Sequence, residues 1–191
     1  TPMLTGSSLA QLLEEHHAGG FTASVLTAEH PDPTGYGRII RGDDDSLLRI
    51  VEERDADELQ RDILEVNSGV YAFDAVKLAG AIGKLKNDNS QGELYLTDVI
   101  EILRNEGGKI AAVLIDDFIE ILGVNDRVQL AESAALLRDR INEDLMKSGV
   151  TIVDPLSTWV DATATIAPDV VLAPGTAIVA VASTQVDKGS T

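Results

Sequence analysis

The 191-residue chain contains no cysteine. That absence excludes a disulfide framework, a zinc-thiolate site and a thiol nucleophile. Basic residues are also scarce, with 15 Lys and Arg against 32 Asp and Glu, a formal net charge of −17. The acids are spread along the chain, and the basic footprint that a phosphate backbone requires is missing, so nucleic-acid binding is disfavoured. An anionic small substrate stays admissible if metal ions or local amides neutralise it. No apolar run approaches the roughly 18 residues of a membrane span, and the first residues do not follow the signal-peptide pattern. These features lead us to expect a soluble, cytoplasmic protein. No complete Walker-type or G-x-G-x-x-G phosphate loop is present. The three histidines, His16, His17 and His30, have neither metal-ligand spacing nor a neighbouring Ser and Asp that would suggest a triad, and are expected at the surface.

What is present reads as a folded α/β protein. Apolar residues make up 44% and charged residues 25% of a chain long enough to bury a core. Residues 7–17 carry apolar positions at Leu9, Leu12 and Leu13 ahead of Gly19-Gly20, which predicts a short amphipathic helix with a glycine cap. Strands are predicted over "FTASVLTAEH", "LLRIVEE" and "EVNSGVYAFD", with turn chemistry at Gly42 to Asp45 forming a hairpin. Helical patterns follow at 75–85 and 96–105, then the strand "KIAAVLI" and a short apolar piece at 118–122. Strands alternating with helices imply layered α/β architecture. Asp126 stands at an N-cap position with Gln129 three residues on, as in a capping box, and helical spacing runs to Lys147 before Gly149.

From Trp159 the period changes. Val160, Ile166, Leu172 and Ile178 recur every six residues, the mark of a parallel β-helix. The period fades at Thr184 and Ser190, leaving only the start of a solenoid. A pair of ordinary edge strands with loops is the alternative.

Several residues are candidates for chemistry. Gly37 lets the backbone approach a ligand and offers its amide, or it is a plain turn glycine. Glu52 and Glu53 point to opposite faces if the strand continues through them, so one can line a pocket and the other should be solvated. Asn67 is unusual inside a strand, and either bonds a ligand through its donor and acceptor or marks a bulge beside Gly69. Asn125 can offer a hard oxygen to Mg²⁺, or belongs to a loop before a capped helix.

The segments "LTAEHPDPTGYGRIIR", "IVEERDA", "EVNSGVYAFD", "GELYLTDVIEI", "GVNDRVQL" and "GVTIVDP", in this order and spacing over about residues 1–172, closely resemble bacterial bifunctional N-acetylglucosamine-1-phosphate uridylyltransferase/glucosamine-1-phosphate acetyltransferase. The resemblance implies the C-terminal half of a Rossmann-like nucleotidyltransferase domain over 1–125, a connecting helix over 126–149, and the first turns of a left-handed β-helix over 150–191. It implies that Gly37, Glu52 and Asn67 hold the sugar, that Tyr95 and Thr97 line the same pocket, and that Asn125 helps bind Mg²⁺. The implied partners are UTP and N-acetylglucosamine 1-phosphate, with acetyl-CoA at a second site and a homotrimeric parent. The implied reaction is in-line attack of the sugar phosphate on the α-phosphorus of UTP, which supplies UDP-N-acetylglucosamine for peptidoglycan and asks mainly for positioning and charge neutralisation.

The chain departs from the family at both ends. The glycine-rich basic loop, the uracil-binding residues, a metal-binding Asp and the acetyl-transfer coils have no counterpart in the sequence, so the resemblance implies an internal piece, inactive alone in both reactions. Its open strand edges and apolar faces should favour association. Arg54 stands where many relatives have Lys. The rival readings are another sugar-1-phosphate nucleotidyltransferase and a non-catalytic module that binds sugar phosphates.

Overall fold

The computed structural model describes residues 1–179 and the backbone of Gln185–Val186. Contacts divide it into two compact units, Thr1–Leu122 and Gly123–Thr191.

The first unit is built on a five-stranded mixed sheet of β1 (Ala23–Glu29), β2 (Arg38–Arg41), β3 (Leu47–Val51), β4 (Glu65–Phe73) and β5 (Ile110–Ile115), in the order β3-β2-β4-β1-β5. β1 runs parallel to β5, and the remaining pairs are antiparallel. Alternation along β1 divides its side chains between two cores, as the strand period requires. Ala23 and Val25 join Ile39, Ile50, Val99, Ile100 and Leu103 on one face. Leu26 and Ala28 join Leu12, Val66, Val113 and Ile121 on the other. Helix α1 (Gly6–Gly19) covers the second face; α3 (Ala75–Ile82) and α4 (Asp98–Asn105) cover the first, and the short α2 (Glu58–Arg61) precedes β4. The α/β expectation therefore holds, with a mixed sheet.

β4 is flanked by β1 along its length, but on its other side meets β2 only at Val66, with Asn67 N–H donating to Gly37 O at 2.8 Å. Among the described residues no strand continues that pairing toward Phe73. Leu114 on the outer strand β5 is also exposed.

In the second unit α5 (Arg127–Lys147) starts at Asp126, whose side chain accepts from Gln129 N–H at 2.8 Å. The predicted box is modified: Gln129 Oε1 takes the amide of Asn125 at 2.7 Å rather than that of the N-cap. A complete box, which the sequence reading did not single out, instead joins Asp57 and Gln60 at the start of α2. After α5 come six two-residue strands: β6 (Thr151–Ile152), β7 (Trp159–Val160), β8 (Thr165–Ile166), β9 (Val171–Leu172), β10 (Ala177–Ile178) and β11 (Gln185–Val186). Each of the first three pairs in parallel with the third strand after it: Thr151 with Val171, Trp159 with Ala177, Thr165 with Gln185. Val160, Ile166 and Leu172 are buried in one cluster with Val150 and Ile152, and Ile178 packs against it. Thr184 and Ser190, where the six-residue period fades, lie outside the described residues.

Asn142 on α5 is fully buried, and its Nδ2 donates to Pro155 O at 2.9 Å and Thr158 O at 3.0 Å. It fastens the turn before β7 to the helix.

Candidate functional site

The β2–β3 hairpin closes at Gly42 to Ser46, where Gly42 N–H donates to Ser46 O at 2.9 Å and Asp44 Oδ1 accepts from Ser46 N–H at 3.2 Å. The open end carries the candidate residues. Gly37 lies just before β2 and Glu52 just after β3, while Asn67 on β4 bonds Gly37 through the backbone. A methyl placed on Gly37 would lie 3.1 Å from Ile50 Cγ2, 3.5 Å from Glu52 Oε2 and 3.6 Å from Asn67 Cβ. The other carboxylate oxygen, Glu52 Oε1, accepts from the hydroxyl of buried Thr97 at 2.8 Å. Gly37, Glu52, Asn67 and Thr97, distant in sequence, thus form one patch.

Asn67 also makes a bulge. Across β1, the partner of Val25 is Tyr71 and the partner of Thr27 is Asn67, so β4 gains residues where the register shifts. Asn67 Oδ1 accepts the Gly69 amide at 3.0 Å, and Gly69 takes a φ of 77°, which suits glycine. The two sequence readings of Asn67 are therefore compatible, because an amide that closes a bulge still has a lone pair and an N–H to offer. Tyr71, not singled out from the sequence, hydrogen-bonds Asn67, and burial pushes its hydroxyl pKa upward with the nearby Glu52 charge adding to the shift.

Beside this patch is a cleft of about 430 Å³. Glu52 and Tyr95 line it; Gly37, Asn67 and Thr97 do not, and reach it through Glu52. Its other walls include Asp55, Asp57, Asp88, Asp98 and Glu101, with Arg49 as the basic residue. Burial raises the Asp98 pKa, and the charges of Glu101, Glu52 and Asp55 reinforce the rise. Such a cleft suits hydroxyl and amide donors better than a bare phosphate.

Tyr95 is held by a relay from the hairpin end: Arg54 Nη1 donates to Gln91 Oε1 at 2.6 Å, and Gln91 Nε2 donates to Tyr95 Oη at 2.7 Å. Ser90 N–H binds Asp55 Oδ1 at 2.9 Å, and this contact holds the Asp55 pKa below the usual carboxylate range. Arginine at position 54 thus serves the 86–97 segment.

Two expectations are corrected. β3 ends at Val51, and Glu53 is not the solvated member of the acidic pair. Its Oε2 lies 2.7 Å from Nη2 of the buried Arg38. His16 is not a surface residue either: it is 8% exposed, with Nδ1 2.9 Å from Ser24 Oγ, because it projects from α1 onto β1. Burial lowers its pKa, and the neighbouring His17 lowers it further.

Asn125 belongs to the second unit and is exposed. Among the described residues no group of three or more His, Asp or Glu is arranged to hold a metal ion. One neutral amide oxygen fills one position of an octahedral ion, so this donor set does not by itself make a magnesium site. No helix of the described residues is long and apolar enough to cross a membrane.

The chain is 54% identical to the bifunctional protein GlmU of Streptomyces coelicolor over 177 residues, covering 92% of the chain and 37% of that protein. It is 49% identical to the GlmU of Geobacillus thermodenitrificans over 178 residues, covering 93% and 39%. The chain therefore spans less than two-fifths of the length of these relatives. A solved Bacillus anthracis structure described as a glucose-1-phosphate thymidylyltransferase matches with a TM-score of 0.50 and 22% identity, over 66% of this chain and 48% of that one, which is a likeness of fold. Residues 3–162 match the nucleotidyl transferase family model, and the chain belongs to that family.

Proposed function

We propose that this chain is the sugar-binding part of an enzyme that transfers uridylyl from UTP to N-acetylglucosamine 1-phosphate. The observation that carries the reading is the patch in which Gly37, its carbonyl bonded to the Asn67 N–H and its Cα facing the Glu52 carboxylate, adjoins the Thr97 hydroxyl that Glu52 accepts. Glu52 accepts from sugar hydroxyls, Asn67 offers both a donor and an acceptor to an acetamido group, and the absent side chain at Gly37 leaves room for the ring. Tyr95 forms the adjoining wall. The acidic cleft favours placing the hydroxyl face of the sugar inward, with the phosphate directed away from Asp98 and Glu101.

In the reaction a phosphate oxygen of the sugar attacks the α-phosphorus of UTP; the new P–O bond forms as the bond to the β-phosphate oxygen breaks, and pyrophosphate leaves. The role of this chain's residues is to orient the sugar phosphate, a contribution that needs no covalent protein nucleophile. Mg²⁺ would neutralise the phosphates, and the family resemblance gives Asn125 a share in binding it. The short parallel strands after α5, each joined to the third strand onward, support reading the stretch from residue 150 as the first turns of a parallel β-helix; the family resemblance extends that reading to a left-handed acetyltransferase domain in a homotrimeric parent that uses acetyl-CoA.

Calorimetric titration with N-acetylglucosamine 1-phosphate and with glucose 1-phosphate tests the substrate class. Tighter binding of the acetamido sugar, lost in Asn67→Ala, is expected. Equal binding of both, or a preference for glucose 1-phosphate, would favour another sugar-1-phosphate nucleotidyltransferase.

A further inference from the structure

Gly37 and Glu52 both lie just outside the hairpin ladder, one residue before β2 begins and one after β3 ends. The last cross-strand partners are Arg38 and Val51, so the ladder itself does not fix the spacing of the two site residues. Another connection does. Arg38, 2% exposed, puts Nη2 2.7 Å from Glu53 Oε2. Its Nη1 donates to Tyr36 O, the carbonyl that precedes Gly37. Nε and Nη2 each lie 3.4 Å from Arg61 O at the end of α2. One planar guanidinium thus joins the peptide before Gly37 to the residue after Glu52, and braces both against α2.

Stability alone is a poor reason for this arrangement. Removing an ion pair from water costs about as much as its attraction returns, and apolar residues of similar volume often serve equally well. Here the Glu53 Oε2 atom is out of solvent and makes no aligned hydrogen bond among the described residues, leaving the ionic contact to meet its charge. What a rigid fork supplies that an apolar pair does not is fixed geometry at several partners.

We infer that the Arg38–Glu53 pair is a positioning device that sets the distance between Gly37 and Glu52, and through it the affinity for N-acetylglucosamine 1-phosphate. The inference rests on the sugar-site reading above. Arg38 and Glu53 touch no substrate; they act through their sequence neighbours.

The test uses the full chain with two variants, Glu53→Gln and the double variant Arg38→Met with Glu53→Leu. The single change leaves a buried cation unpaired and is expected to lower stability. The double change removes both charges and restores it. Sugar-phosphate affinity, measured by calorimetry, should fall roughly tenfold in both variants, since small displacements of a binding group carry such losses. Amide hydrogen exchange gives a readout independent of ligand. The Asn67 amide, bonded to Gly37 O, should exchange faster in both variants, while the Val25 amide in β1 keeps its wild-type rate in the double variant. If the double variant recovers affinity and Asn67 protection along with stability, the pair is only structural and the inference is overturned. Asn67→Ala, run in parallel, separates the two claims. If that variant binds like wild type, the sugar-site reading fails; if it loses binding while the ion-pair variants keep it, only the positioning role fails.

Discussion

Replacing Gly37 with alanine separates the proposed site from the stability of the hairpin. The added methyl would meet Ile50 Cγ2 at 3.1 Å and come within 3.5 Å of Glu52 Oε2 and 3.6 Å of Asn67 Cβ. Only the first contact is tight, and relieving it requires a shift of a few tenths of an ångström. Overpacking of that kind costs about 1–3 kcal/mol. Against it, alanine reduces the freedom of the unfolded chain, a gain of about 0.4–1 kcal/mol where the backbone accepts a side chain. The balance is a loss of roughly 1 kcal/mol, or about 2–4 °C in Tm for a protein of this size. The same methyl projects toward the Glu52 carboxylate and Asn67, where the sugar is proposed to sit, so affinity for N-acetylglucosamine 1-phosphate should fall by far more than tenfold. Calorimetric titration together with thermal denaturation measures both. Wild-type affinity in a folded Gly37→Ala protein would refute the placement of the sugar.

Other consequences can be checked on the same material. Thr97→Val removes the hydroxyl that donates to Glu52 Oε1; binding should weaken several-fold, and thermal denaturation should show a loss of about 1.5–3 kcal/mol, the range for a hydrogen bond to a charged group. Asn142→Ala orphans the carbonyls of Pro155 and Thr158, and chemical denaturation should report a loss of roughly 2–4 kcal/mol. His16 has its folded pKa lowered from 6.5. Above 6.5 its imidazole is neutral in both states. As pH falls through 6.5 the unfolded chain takes up a proton first, so stability declines until the lower folded pKa is reached. Tm should therefore drop between pH 7 and 5, and His16→Gln should flatten part of that slope, with His30, also lowered by burial, supplying more of it.

The layered fold and most elements were legible in the sequence because alternation and helical spacing report burial directly. β1 alternates between two cores, and the Val160, Ile166 and Leu172 spacing delivers those side chains to one cluster. Gly37, Glu52 and Asn67 were legible individually, but only as residue types with competing structural explanations, and Thr97 only through the family resemblance. Pairing decides what spacing does not. Glu53 looked like a solvated strand end because local sequence does not reveal that Arg38 is buried beside it. His16 looked like a polar helix end for the same reason, since Ser24 lies on another element. Tyr71 had a usable signal: four residues after Asn67 in a strand pattern, it shares that residue's face.

The most direct test of the central claim is a ¹H–¹⁵N NMR titration of the chain with N-acetylglucosamine 1-phosphate. The account predicts saturable shifts concentrated at the amides of Gly37, Glu52, Asn67, Tyr95 and Thr97. Saturable shifts centred elsewhere, or no shifts at millimolar sugar phosphate, would contradict it.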